Sequence, residues 1–158
     1  MSTSRPLLLL IAVLCSSAVA LALISQHIFD MQPCAWCVMQ RLIYLVIAAV
    51  CLLGCWDGRV LRRVSAVLAA ALAAAGVMAA YYQYTVASHT FSCEQTFADR
   101  LMAGSGLDAA MPQVFGIYAS CMDAVVTVLG VDYALWSLGL FAVLAVLALA
   151  ALFERARA

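Results

Sequence analysis

The chain has 158 residues, of which 68% are hydrophobic and 10% charged, and its mean hydropathy is +1.08. A soluble domain is about 45 to 50% apolar and about 25% charged, so this composition indicates an integral membrane protein. The formal net charge is zero, and the basic residues, all of them arginine, form no dense cluster of the kind that a nucleic-acid site needs. Nucleic acid is therefore excluded as a partner.

Four apolar stretches approach the roughly 20 residues that an α-helix needs to cross about 30 Å of hydrocarbon. They cover residues 7–24, 38–56, 64–84 and 134–153. They predict an all-α membrane protein in which residues 1–158 form a single integral-membrane domain, a four-transmembrane-helix bundle. The first stretch has an alternative interpretation as a signal peptide cleaved near residues 20–22. Its apolar run is longer than the roughly 7 to 15 residues of a signal core, so we expect a true span.

The charges are sorted along the chain. Six of the eight arginines flank the predicted spans on one side, namely Arg5, Arg59, Arg62, Arg63, Arg155 and Arg157. By the positive-inside rule, that side is cytoplasmic. Both termini and the connection at 57–63, predicted as a tight basic turn containing Gly58, are then cytoplasmic as well.

The other two connections, about 25–37 and 85–133, lie on the outer side. The second is long, and a loop of that length is usually functional or disordered. Apolar residues such as Phe97, Met102 and Phe115 give it enough surface to pack, so we expect a structured loop with a flexible point at 104–106.

Topology divides the seven cysteines into two groups. Three of them lie within predicted spans, namely Cys15, Cys51 and Cys55, and are interpreted as small hydrophobic residues of the core. The other four lie on the outer side, namely Cys34, Cys37, Cys93 and Cys121. An even number of cysteines in a compartment where disulfides persist indicates two pairs.

Three interpretations compete for the four outer cysteines. Two structural disulfides would tie the loops together, and a zinc site would use all four thiolates. Zinc is disfavoured because the second pair is widely spaced, whereas zinc ribbons draw on two closely spaced pairs. Redox catalysis is favoured because a CxxC pair closes a very small ring, adds little loop-closure entropy, and is the common spacing of exchange-active dithiols.

The surroundings of the CxxC also favour chemistry. Pro33 suits the first turn of a helix, so Cys34 and Cys37 should lie at a helix start, where unpaired backbone N–H groups stabilise a thiolate. Arg41 follows at helical spacing and would share their face. From spacing alone, Arg41 is equally well interpreted as an arginine that snorkels to the lipid headgroups.

The chain resembles the DsbB family of bacterial inner-membrane proteins along nearly its whole length. The resemblance rests on PCAWCVMQR at the second span, YYQYT at the end of the third, FSCEQ and PQVFGIYASC in the long loop, and a fourth span that opens near Trp136. It implies a multi-pass inner-membrane thiol:quinone oxidoreductase whose active site faces the periplasm. Ubiquinone or menaquinone is the expected electron acceptor, and no metal is expected.

The resemblance also implies a role for each site residue. A reduced periplasmic oxidase, DsbA, forms a mixed disulfide at the position of Cys93, within the pair Cys93–Cys121. That pair is reoxidised through Cys34–Cys37, with Cys121 and Cys34 as the bridging positions. Cys37 faces the quinone, and Arg41 is the quinone-site arginine.

Two positions depart from the pattern of some relatives. Gln40 stands where some carry an acid, and Tyr84 where some carry a histidine. Both leave the choice of quinone open, while the cysteine chemistry is unaffected.

Overall fold

The computed structural model describes residues 4–56, 58–89 and 96–153. Four long helices carry most of the fold, and each is long and apolar enough to cross a membrane. They are α1 (Ser4–Ile28), α2 (Ala35–Gly54), α3 (Arg59–Thr85) and α7 (Tyr133–Phe153). The predicted all-α architecture with four membrane-spanning helices is confirmed.

The helices form a ring in which α1 contacts α2, α2 contacts α3, α3 contacts α7, and α7 closes on α1. Residues 29–34, 86–89 and 96–132 lie at one end of the ring, called the loop end below. Large apolar side chains cover the outside of the ring, for example Val13, Val60 and Val146, all more than half exposed. A surface of this kind is unfavourable in water and favourable against lipid, and the chain is a multi-pass membrane protein.

Small residues let the helices approach inside the ring. Gly76 of α3 lies against the ring of Phe141 in α7 so closely that a Cβ would overlap it. That ring stacks in turn on Tyr44 of α2, with centroids 4.1 Å apart. The absence of a side chain at Gly76 therefore makes room for the phenyl ring of α7.

The described residues of the long loop, 86–89 and 96–132, are structured, as predicted. After a 3-10 turn at Ala87–His89 come three short helices, α4 (Phe97–Ser105), α5 (Leu107–Ala110) and α6 (Pro112–Phe115). A hairpin of β1 (Thr127–Val128) and β2 (Val131–Asp132) then leads into α7, and Thr127 pairs with Asp132. Helices α4 and α6 pack on α2, so the loop closes one end of the ring.

Several predicted boundaries were wrong. The connection at 57–63 is much shorter than a seven-residue turn, because α3 begins at Arg59 and includes three arginines in its first turns. Arginine is a good helix former. The arginines before residue 64 therefore lie outside the apolar stretch but inside the helix. The second span ends at Gly54, two residues before its predicted end, and the first outer connection narrows from 25–37 to 29–34.

The expected flexible point at 104–106 is a helix end. The first two of these residues belong to α4, and Gly106 has a left-handed conformation with φ of 68°. A glycine in this conformation commonly ends a helix, so Gly106 is the C-terminal cap of α4.

Candidate active site

The CxxC lies at the start of α2, as predicted. Cys34 is the N-cap residue with extended backbone, and Cys37 lies in the first helical turn. Their sulfurs are 3.1 Å apart. Cys34 is fully buried and Cys37 is half-buried. The N–H groups of Tyr118 and Ala119 donate to the Pro33 carbonyl at 3.1 and 3.3 Å, which anchors the long loop beside the cysteines.

Cys121 of the long loop joins this pair. Its side chain lies against Cys34 and close to the backbone of Trp36. The interaction with Cys34 is the main reason that the pKa of Cys121 is lowered, and the same interaction is the main reason that the pKa of Cys34 is raised well above its usual value. Cys121 is therefore the favoured thiolate of the two. Cys93, its predicted partner, lies outside the described residues.

Arg41 points into the protein. It is only 6% exposed. One terminal nitrogen, Nη1, donates to Gln26 Oε1 at 2.6 Å and to the Val114 carbonyl at 3.0 Å, and the other, Nη2, donates to the Ala22 carbonyl at 3.4 Å. The side chain thus ties α2 to α1 and to the long loop. This orientation is the opposite of the one a snorkelling arginine adopts.

Two small cavities, each partly open to the surroundings, lie against Cys37. Arg41 and Tyr133 line one of them, called the arginine cavity below, together with Ala22 of α1. Cys121 and Tyr84 line the other, called the loop cavity. Cys37 lines both cavities, so its side chain borders the space beside the arginine as well as the space beside the loop cysteine.

A chain of buried hydrogen bonds also reaches Cys37, and this chain was not predicted from the sequence. Gln83 of α3 donates to the Cys37 sulfur at 3.1 Å and accepts a 2.7 Å bond from Gln40. Gln40 accepts in turn from Ser137 of α7 at 2.6 Å, and Ser137 Oγ lies 2.9 Å from the Tyr44 hydroxyl. The one available signal was a glutamine inside an otherwise apolar span, since such residues usually face the bundle interior.

Comparison with known proteins identifies the same family that the sequence motifs resemble. Residues 4–151 match the family model described as Disulfide bond formation protein DsbB. A relative from Herminiimonas arsenicoxydans named Disulfide bond formation protein B is 31% identical over 157 residues, covering 98% of this chain and 99% of the relative. The chain belongs to the DsbB family.

Two further DsbB relatives agree. One from Ralstonia nicotianae is 30% identical over 99% of this chain and 98% of its own length, and one from Stutzerimonas stutzeri is 31% identical over 87% of each. Both carry the name Disulfide bond formation protein B. Membership of the DsbB family supports an oxidoreductase role in disulfide bond formation.

Proposed function

We propose that the chain reoxidises a DsbA-like periplasmic thiol oxidase and passes the electrons to membrane quinone, as a thiol:quinone oxidoreductase of the bacterial inner membrane. The single observation that carries this proposal is the position of Cys34. Its sulfur contacts both Cys37 and the loop residue Cys121, so one buried sulfur links the loop to the membrane edge.

The proposed exchange starts at the loop. A thiolate of the partner attacks Cys93 of the Cys93–Cys121 disulfide, which forms a mixed disulfide and releases Cys121 as thiolate. Cys121 then attacks Cys34 of the Cys34–Cys37 disulfide and releases Cys37 as thiolate. Thiol exchange requires this direct contact of sulfurs, and the contact of Cys121 with Cys34 supports the order of steps.

The second half returns the cysteines to their starting state. The partner's other thiolate attacks the mixed disulfide, so the partner leaves oxidised and Cys93 is released. Cys93 then attacks Cys121 and re-forms the loop disulfide, leaving Cys34 and Cys37 reduced. A quinone accepts two electrons and two protons from this reduced pair, which restores the Cys34–Cys37 disulfide.

The residues that line the arginine cavity suit a quinone headgroup. Its walls include apolar residues such as Ala22 and Val126, while Arg41 supplies hydrogen-bond donors for a carbonyl oxygen. The bonds of Arg41 to protein groups use three of its five N–H donors among the described residues. Two donors remain for a ligand. Ubiquinone and menaquinone both enter the test below.

The energetics require an acceptor of this strength. A DsbA-type oxidase has a reduction potential of roughly −120 mV, and each 30 mV is worth about 1.4 kcal/mol for two electrons. Reoxidation of such a partner therefore needs an acceptor of higher potential than an ordinary thiol pool. The distribution of arginines supports the periplasmic placement of the loop end.

The test is quinone reduction by purified protein supplied with reduced DsbA-like partner. Wild-type protein should reduce ubiquinone or menaquinone, and Cys37→Ser should abolish the reaction. Cys55→Ser is the matched control, because Cys55 ends α2 at the far end of the bundle, and it should retain full turnover. Equal turnover of Cys37→Ser and wild type would refute the proposal.

A further inference from the structure

We propose that Gln83 is a catalytic residue that stabilises the Cys37 thiolate by donating a hydrogen bond to its sulfur, and that Gln40 and Ser137 are positioning residues for Gln83. The inference rests on the proposed function in one respect, namely that Cys37 is the sulfur released as thiolate when Cys121 bonds to Cys34.

The geometry places one donor on the sulfur that needs it. The Gln83 amide nitrogen lies 3.1 Å from the Cys37 sulfur and 3.8 Å from the Cys34 sulfur. Gln83 is 7% exposed, so little water competes for the contact. Hydrogen bonds to an ionised acceptor are stronger than those between neutral groups, so the donor favours the thiolate form.

Gln40 fixes which end of the Gln83 amide faces the sulfur. The Gln40 amide nitrogen donates to Gln83 Oε1, which leaves the Gln83 nitrogen for Cys37. If the Gln83 side-chain amide alone rotated by about 180°, its nitrogen would face the Gln40 nitrogen, and two hydrogen-bond donors would lie against each other. A buried pair of donors without an acceptor is unfavourable, so the two amides are coupled.

Ser137 extends the coupling to α7. Its hydroxyl donates to Gln40 Oε1 at 2.6 Å, and the Tyr44 hydroxyl lies 2.9 Å from the same Ser137 oxygen. The chain therefore runs from α7 through α2 to α3 before it reaches the sulfur. Side chains held from three helices have little freedom to turn, which keeps the donor in place before the thiolate forms.

The proposed step is balanced without a new reactant. The Cys121 sulfur forms a bond to Cys34, the Cys34–Cys37 bond breaks, and its electron pair stays on Cys37. Gln83 keeps its proton and lowers the energy of the charge that develops on Cys37. Arg41 lies on the side of the arginine cavity, so Gln83 and Arg41 approach Cys37 from different helices.

The first test is the pH profile of Cys37 alkylation, read by mass spectrometry in a background of Cys34→Ser and Cys121→Ala. Gln83→Met removes the amide at similar volume and should move the profile upward by about one pH unit, which is about a tenfold slower reaction below the midpoint. Gln40→Met should move it in the same direction by a smaller amount. Gln113→Met is the matched control, because Gln113 is exposed, and should leave the profile unchanged.

The second test is turnover with all cysteines present. Gln83→Met should lower kcat for quinone reduction about tenfold and leave KM for quinone unchanged. A profile for Gln83→Met that overlays the control would overturn the proposal, as would a loss of thermal stability with an unchanged profile. Absence of quinone reduction by the wild type would refute the proposed function, while the alkylation profile would still decide the role of Gln83.

Discussion

Replacing Arg41 with methionine should weaken quinone binding and leave the disulfides formed. Two of its five N–H donors remain for a ligand in the arginine cavity, as counted above from its bonds to protein groups. A hydrogen bond from a charged donor contributes about 1.5 to 3 kcal/mol, and about 1.4 kcal/mol corresponds to a factor of ten. Loss of one such bond should therefore raise KM for quinone about 10- to 100-fold.

The same substitution removes protein contacts. The bonds to Gln26 and Val114 hold α1 and the long loop to α2, and their loss leaves buried acceptors unpaired, at about 1 to 3 kcal/mol each. For this reason Arg41→Lys is measured beside Arg41→Met, because lysine keeps the charge and loses the forked geometry. Arg41→Lys should fold normally and still raise KM.

The assay is quinone reduction at varied quinone concentration with partner in excess. Arg63→Met is the matched control, because Arg63 is exposed at the opposite end of the bundle, and its KM should equal that of the wild type. Unchanged KM in both Arg41 variants would refute a role of the arginine in quinone binding.

Three other outcomes follow from the described contacts. Gly76→Ala should lower the thermal stability of the protein in detergent by about 1 to 3 kcal/mol through overlap with Phe141, and Phe141→Leu should restore part of the loss. In reduced protein, Cys121 should be alkylated at lower pH than Cys34, because its lowered pKa gives more thiolate at a given pH. The substitution Cys34→Ala should move the pH profile of Cys121 alkylation to higher pH. Identical alkylation profiles for Cys121 and Cys34 would contradict this prediction. Thr96→Ala removes the capping box of α4 and should destabilise that helix by about 1 kcal/mol, measured as faster amide exchange across Phe97–Ser105.

The parts of the fold that depend on hydrophobicity could be predicted from the sequence. Transfer of apolar side chains to lipid requires uninterrupted apolar runs, so four helices could be counted directly. The start of α3 at Arg59 could not be predicted from hydropathy, because a helix continues into the aqueous layer as long as its backbone bonds are satisfied. Gly106 caps the C-terminus of α4. Glycine is typical both of helix caps and of flexible loops, and for this reason the segment at 104–106 was predicted as a flexible point.

The site was predictable only where spacing carries chemical information. The CxxC and Arg41 lie at helical intervals, and their positions at the start of α2 follow from that. Gln83 is more than 40 residues from Cys37 and reaches it only through packing of α3 on α2. Gln40 was noticed as a departure from the pattern of some relatives, but its bonds to two other helices depend on helix rotation, which a single sequence does not encode.

Burial of Cys34 has a further consequence for selectivity among reductants. A small soluble thiol has to touch a sulfur to reduce it, and Cys34 offers no exposed surface, whereas Cys121 is partly accessible. A small thiol from the aqueous side therefore reaches Cys121 more readily than Cys34.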